Sequence, residues 1–255
     1  MTLDAFAHHP DLRGLITDLD RSGFRHFDPQ VYAANHPELR LETFITPAAE
    51  REALRRATLA GWQGDLWVFG YGSLMWDPAF HFAELRRARV ADHARRFILK
   101  DTFGGRGTAK QPGLLAALDH GPGCDGLAFR IEAKDVAHET EILWRRELAG
   151  PAYHAAFVTA DTAQGQIRAL TFTADHASKA IVGNISRAEQ VRYIATRTGS
   201  FGSSLAYLSN IATHFAALGI EDAEVSGLMR ETAAYLADRQ SVPPAAGPAH
   251  RNGGK

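Results

Sequence analysis

Residues 66–76 read LWVFGYGSLMW, the most hydrophobic and aromatic passage of the 255-residue chain. Its opening has the short, continuous apolar character of a buried strand, and Gly70 and Gly72 end that strand in a tight turn. Such a turn can expose successive backbone N–H groups able to hold a carboxylate or an oxyanion, or it can serve only to reverse the chain. The passages that follow set the fold around it. ARRFIL (94–99), LLAAL (114–118), GLAFRI (126–131), YHAAFVTA (153–160) and IRALTFTA (167–174) are strand candidates, separated by glycine-rich or polar turns such as FGGRG and DHGPGCDG. The helical segment DVAHETEILWRREL (135–148) interrupts them. One helix among several short strands does not fit the regular alternation of a doubly wound sheet, so the spacing predicts an α+β fold built on a small, curved or barrel-like mixed sheet.

Outward from this region the pattern changes. SRAEQVRYIATRTG (186–199) opens with Ser186 and Glu189 in the spacing of a capping box, and SSLAYLSNIATHFAALG (203–219) and DAEVSGLMRETAAYLADR (222–239) continue at helical period. On the N-terminal side the chain is polar and interrupted by prolines. It carries one surface helix in TPAAEREALRRATLAG (46–61), with Thr46 as its cap, Pro47 at the first position and Gly61 at its end. The expected organisation is an N-terminal helical extension at 1–64, a main domain at 65–240 and a disordered tail at 241–255.

Composition removes several function classes. With 28 Lys+Arg against 29 Asp+Glu the formal charge is −1, which argues against a nucleic-acid partner. Cys124 is the only cysteine, so an internal disulfide and a multi-cysteine metal site are excluded, and the thiol is expected to be an idle, solvent-facing or half-buried side chain. The twelve histidines contain no H-E-x-x-H, and the adjacent pair His8 and His9 lies in a start expected to be flexible, so no metal is expected. Gly104, Gly105 and Gly107 complete neither a dinucleotide fingerprint nor a P-loop. No run reaches 18 apolar residues, and MTLDAFAHHPDLRG lacks the basic start and apolar run of a signal peptide; a cytoplasmic protein with a small-molecule partner and no membrane contact is expected.

Two side chains stand out. If Asp135 caps a helix through Leu148, then Val136, Thr140, Leu143, Trp144 and Leu148 share one face, with Glu147 in the middle of it and Glu139 and Glu141 at its flank or opposite. A carboxylate on the core side either raises its pKa and becomes a general acid/base, or forms an internal salt bridge with Arg145, Arg146 or another arginine. Tyr207 lies near the edge of the stripe Leu205, Leu208, Ile211, Ala212 and Phe215, where its ring can pack and its hydroxyl can enter a cleft lined by the preceding TGSFGSS.

WVFGYGSLMWDPAF (67–80), GRGTAKQPG (105–113), LWRRELAGPAY (143–153) and GSFGSSLAYL (199–208) resemble, in order and spacing, the signature blocks of the bacterial ChaC-like gamma-glutamylcyclotransferases. The resemblance spans about residues 65–237. It implies a small β-barrel with flanking helices and an enzyme that acts on glutathione, releasing 5-oxoproline and cysteinylglycine without a metal or cofactor. By resemblance the substrate loop is Tyr71, Gly72, Ser73 and Leu74, the catalytic acid/base is Glu147, and the pocket tyrosine is Tyr207; Arg106 and Gln111 belong to a neighbouring block that can reach the substrate. The chain departs from the family pattern at Leu114, at Gly150, Pro151 and Ala152, at His154 and at Ser204. Those departures leave open other gamma-glutamyl dipeptides or amines as substrates, or a non-catalytic protein that binds gamma-glutamyl compounds.

Overall fold

In a computed structural model describing residues 4–241, LWVFG becomes β1 (Leu66–Gly70), buried along nearly its whole length. It pairs antiparallel with β5 (Cys124–Ile131); β5 pairs with β2 (Glu84–Val90), β2 with β6 (Tyr153–Thr162) and β6 with β7 (Gly165–Ala174). β7 returns parallel to β1 through Trp67↔Ala169 and Val68↔Leu170, closing these five strands into a barrel. The long hairpin β3 (His93–Phe103) and β4 (Thr108–His120) extends the sheet from β7. The far side of β3 is itself covered: Leu99 bridges Ile181, Lys100 donates to Ala180 O at 2.8 Å, and Val182 donates to Ile98 O at 2.9 Å.

Alternation along the strands sorts the buried side chains into two sets. One is made mostly of small residues, including Ala88, Cys124, Ala128, Ala160 and Ala169 around Phe69, and contains no helix residue. The other is bulky, with Leu66, Val68, Phe129, Ile131, Leu170 and Phe172, and packs with Trp144 of α3 (Val136–Glu147) and Leu208, Ile211 and Phe215 of α5 (Ser204–Leu218). Cys124 is therefore buried, not solvent-facing, and burial pushes its thiol pKa up. α4 (Arg187–Thr196) begins with both halves of the Ser186–Glu189 capping box in place, and α6 (Ala223–Ser241) follows α5. The expected tail beyond Ser241 lies outside the described residues.

Several local expectations are corrected. β2 is a strand that hydropathy alone passes over: Leu85, Ala88 and Val90 are buried, while Arg86, Arg87 and Arg89 disguise them. Those arginines are occupied, Arg86 stacking on Trp67 and Arg87 and Arg89 pairing with Asp125. The N-terminal helix α2 runs Ala48–Thr58 with Pro47 at the cap position, so Thr46 does not cap it. The Thr46 backbone is engaged elsewhere, its N–H on Ala149 O and its carbonyl taking Gln30 and Arg51. Gly61, at φ 73, lies in the turn beyond the helix.

The segment before α2 is not a loose start. Leu12, Ile16, Ala33 and Leu41 are buried, His9 Nε2 accepts the Arg87 N–H at 2.9 Å, and His8 pairs with Glu84. A short α1 (Pro29–Asn35) is capped by Asp28, whose carboxylate accepts the N–H groups of Gln30 and Val31.

Candidate active site

The turn after β1 is held from behind. The Tyr71 hydroxyl donates to Phe172 O at 2.9 Å, the Tyr71 carbonyl accepts Arg95 Nε at 2.7 Å, and Leu74 is buried in the core. Residues Ser73–Met75 form one turn of 3₁₀ helix; the N–H groups of Met75, Trp76 and Asp77 bond back to Gly72 O and Ser73 O. Those of Ser73 and Leu74 have no acceptor among the described residues, as the first donors of such a turn must lack one within it.

Gly72 is required by crowding rather than by backbone strain. A Cβ there would stand 2.4 Å from the Tyr207 hydroxyl, so the phenol lies directly against the turn. Tyr207 is buried on α5, edge-to-face with Trp76, and burial, followed by Glu147 nearby, pushes its pKa up to about 12 against the opposing pull of Arg95 and Arg106. It is a neutral phenol at physiological pH, able to donate.

Glu147 ends α3 at the wall of the same cavity, its side chain 14% exposed, and pairs with Arg146 at Nε···Oε1 3.1 Å. Burial raises its pKa, with Arg146 pulling the other way. The internal salt bridge expected from sequence is thus present with Arg146, on a carboxylate whose pKa burial raises. Arg145 does not join, donating instead to the Arg25 carbonyl at 3.4 Å. The Tyr71 and Tyr153 phenols stand nearby, both pushed well above their ordinary pKa by burial.

Arg106 reaches the cavity because the turn between β3 and β4 is tightly built. Asp101, buried and with its pKa raised by desolvation, accepts the N–H groups of Phe103 and Arg106. Gly107 and Gly113 let the two limbs of the turn touch: a Cβ on Gly107 would meet Gly113 N at 1.9 Å. Ser204 ties this turn to α5, accepting from Leu114 N at 3.1 Å and donating to Arg106 O at 3.4 Å.

The cavity has a volume of about 200 Å³ and two characters. Ser73, Lys100, Asp101, Arg106, Arg146, Glu147, Tyr153 and Tyr207 make its polar part; Phe24, Phe27, Tyr32, Leu41, Ile45, Phe103 and Phe201 make its aromatic and aliphatic part. Phe201 sits at the tip of the small hairpin of β8 (Thr198–Gly199) and β9 (Gly202–Ser203), so the TGSFGSS loop does line the cleft. The N-terminal segment closes over it: Phe24 and Phe201 have ring centroids 5.0 Å apart, and Tyr32 Oη lies 3.0 Å from Ser200 Oγ.

Of the residues singled out in the sequence, Ser73, Arg106, Glu147 and Tyr207 line the cavity, and Tyr71, Gly72 and Leu74 fix the turn behind Ser73. Gln111 does not join them; it is exposed on β4, where the strand turns its side chain outward. Glu139, expected at the flank, is 2% exposed, because Arg25 of the N-terminal segment takes both its oxygens and the His81 N–H adds a third contact. Of the departures from the family pattern, Leu114, Pro151, His154 and Ser204 stand outside the cavity lining, while Gly150 and Ala152 belong to it. Tyr153, Asp101 and the aromatics of FRHFDPQVY (24–32) were not picked out from sequence; the aromatic density of that stretch was the available signal.

The sequence profile of the family described as ChaC-like protein matches residues 66–235, from β1 into α6. The chain belongs to the ChaC-like family. Among relatives, a glutathione-specific gamma-glutamylcyclotransferase of Escherichia coli K12 is 32% identical over 200 residues, covering 77% of this chain and 86% of that one. A glutathione-specific gamma-glutamylcyclotransferase of Schizosaccharomyces pombe is 30% identical over 168 residues, covering 59% and 82%. The crystal structure of a gamma-glutamylcyclotransferase specific to glutathione from yeast superposes with a TM-score of 0.63 at 21% identity, over 68% of this chain and 97% of that one, which shows the shared fold. The ChaC-like match contains every polar lining residue named above and leaves Phe24, Phe27, Tyr32, Leu41 and Ile45 outside it.

Proposed function

We propose that this protein is a gamma-glutamylcyclotransferase that acts on glutathione, releasing 5-oxoproline and cysteinylglycine, and that it works in the cytoplasm. The observation that carries the reading is Glu147: a carboxylate on a cavity wall, its pKa raised by burial, in the same cavity as Ser73, whose backbone N–H has no acceptor among the described residues. The similarity of the relatives to this chain, and their printed specificity, supports the choice of glutathione.

The reaction needs little more. The α-ammonium of the gamma-glutamyl unit loses a proton to Glu147, and the amine nitrogen attacks the side-chain carbonyl carbon, closing a five-membered ring. The carbonyl electrons move to oxygen and return as the C–N bond to cysteine breaks. Glu147 then gives its proton to the departing nitrogen and, ionised again, takes the surplus proton from the ring nitrogen to leave the lactam N–H. That second proton passes to the freed amine, which departs as an ammonium. A carboxylate whose pKa burial has raised can perform these transfers.

The N–H groups of Ser73 and Leu74 offer donors for the charge that develops on oxygen, and the Tyr207 phenol lies against the same turn. Holding the gamma-glutamyl chain folded within the cavity supplies the orientation for ring closure. The nucleophile belongs to the substrate, so the chemistry draws on no cofactor.

Incubation of purified protein with reduced glutathione should yield 5-oxoproline and cysteinylglycine in equal amounts, and Glu147→Gln should abolish both. A second reading, in which other gamma-glutamyl dipeptides or amines are preferred, is favoured by the aromatic part of the cavity, which suits an apolar leaving group. A side-by-side panel of such compounds ranks them by kcat/KM. A protein that binds glutathione without forming either product has no cyclotransferase activity.

A further inference from the structure

Arg146 is a buried guanidinium whose donors are not all used. Its side chain is 5% exposed; Nη1 donates to the Asp77 carbonyl, Nε lies 3.1 Å from Glu147 Oε1, and Nη2 is buried with no partner among the described residues. The ring of Phe24, from the N-terminal segment, lies over the guanidinium at 4.2 Å. An unpaired buried donor on a permanent cation is costly, and whereas the similarly unpaired Arg145 Nε and Arg197 Nε lie outside the cavity lining, this one belongs to a side chain on the cavity wall, where a ligand can supply the acceptor. Both Arg146 and Phe24 line the cavity.

Resting on the proposed reaction, we infer that Arg146 binds the α-carboxylate of the gamma-glutamyl substrate and that Phe24 is the positioning residue that holds its guanidinium in place. Covalent geometry selects this carboxylate over the one at the far end of glutathione. The amine that gives its proton to Glu147 and the α-carboxylate are attached to the same carbon. An amine placed on Glu147 therefore brings that carboxylate beside Arg146, which already touches Glu147. A guanidinium also matches a carboxylate better than an ammonium would, with its planar donor fork.

The test compares glutathione with its analogue carrying a 4-aminobutyryl group in place of gamma-glutamyl, which keeps the amine and the scissile amide and lacks only the α-carboxylate. Each enzyme is assayed at the plateau of its own pH profile, so that any change in the Glu147 pKa is removed. Wild-type protein should strongly prefer glutathione. Arg146→Met should lose about 30- to 100-fold in kcat/KM on glutathione, mainly through KM, as expected for one charge-assisted contact. On the analogue, wild type and Arg146→Met should agree within about threefold, because the contact is absent from both.

Phe24→Ala should show the same substrate-dependent loss in smaller degree, and Arg146→Lys an intermediate one; these variants carry the test if Arg146→Met fails to fold. Equal losses on both substrates, or a wild type indifferent to the α-carboxylate, overturns the assignment while leaving the cyclotransferase reading intact. Binding of 5-oxoproline by calorimetry is independent of turnover: it should weaken in Arg146→Met, and unchanged affinity also overturns it. A wild type that turns over no gamma-glutamyl compound removes the reaction instead.

Discussion

Glu147 is placed where its charged form is disfavoured, and that has a consequence for stability as well as for chemistry. Because burial raises its folded pKa above the unfolded value, the folded state holds the proton more tightly. The stabilising contribution is complete below the ordinary carboxyl pKa and is lost as pH rises through the elevated folded value. Glutamine does not ionise. Glu147→Gln should therefore melt at a higher temperature than wild type at neutral and alkaline pH, with the gap closing as pH falls into the ordinary carboxylate range. Thermal melts across a pH series measure this directly, and they also establish whether the variant is folded.

Gly72 provides a second prediction at the scale of single residues. A methyl group there meets the Tyr207 hydroxyl at 2.4 Å, so Gly72→Ala should displace the turn or the phenol and cost roughly 1–3 kcal/mol, in line with other overpacked sites. Removing the hydroxyl in Gly72→Ala with Tyr207→Phe should restore part of that stability in denaturant titrations. Tyr207→Phe alone should fold normally and lower kcat less than Glu147→Gln does. If the double variant were no more stable than Gly72→Ala, the hydroxyl would not be what the methyl group strikes.

At the scale of elements, the contact between α3 and the segment before α1 is the one that most alters the picture drawn from sequence. Arg25 reaches Glu139 on α3 with two donors, and the pair is almost dry, Glu139 being 2% exposed. Arg25→Ala leaves that carboxylate with only the His81 N–H and should destabilise the protein by about 3 kcal/mol. Urea unfolding of the variant, followed by tryptophan fluorescence, checks the size; a change near zero would mean that the pair contributes no net stability. Helical period alone placed Glu139 on the flank because period knows nothing of a partner supplied from more than a hundred positions away.

The same reason separates what could be read from what could not. The apolar strands β1 and β3 to β7 were legible because each carries a run of apolar residues, buried on both faces in β1 and β5 and over part of the length in the others, and the helices after residue 185 because their stripes and caps are local. β2 was hidden since its arginines are neutralised by Asp125 and by stacking on Trp67, contacts that exist only after the barrel closes. At the site, Glu147 and the 71–74 turn were marked by local pattern, whereas Asp101, Tyr153 and the N-terminal aromatics gain meaning only when distant segments meet at one cavity.

For the whole molecule, the architecture combines a closed barrel, a hairpin that extends it and a docked N-terminal segment that completes the cavity wall. The hairpin strand β3 would be the open end of the sheet, but residues 180–182 lie along it, and Gln190 Nε2 adds a bond to Phe97 O at 3.0 Å. A strand edge left bare is a template for pairing with another chain. The short stretch at 180–182 thus acts as a guard against self-association, one made of backbone rather than of charged side chains. Val182→Pro removes the N–H that bonds Ile98 O and should uncover this edge. Its solutions should form thioflavin-positive aggregates at concentrations where the wild type remains clear to light scattering, so a segment that lends the cavity no lining residue helps to keep the protein dispersed.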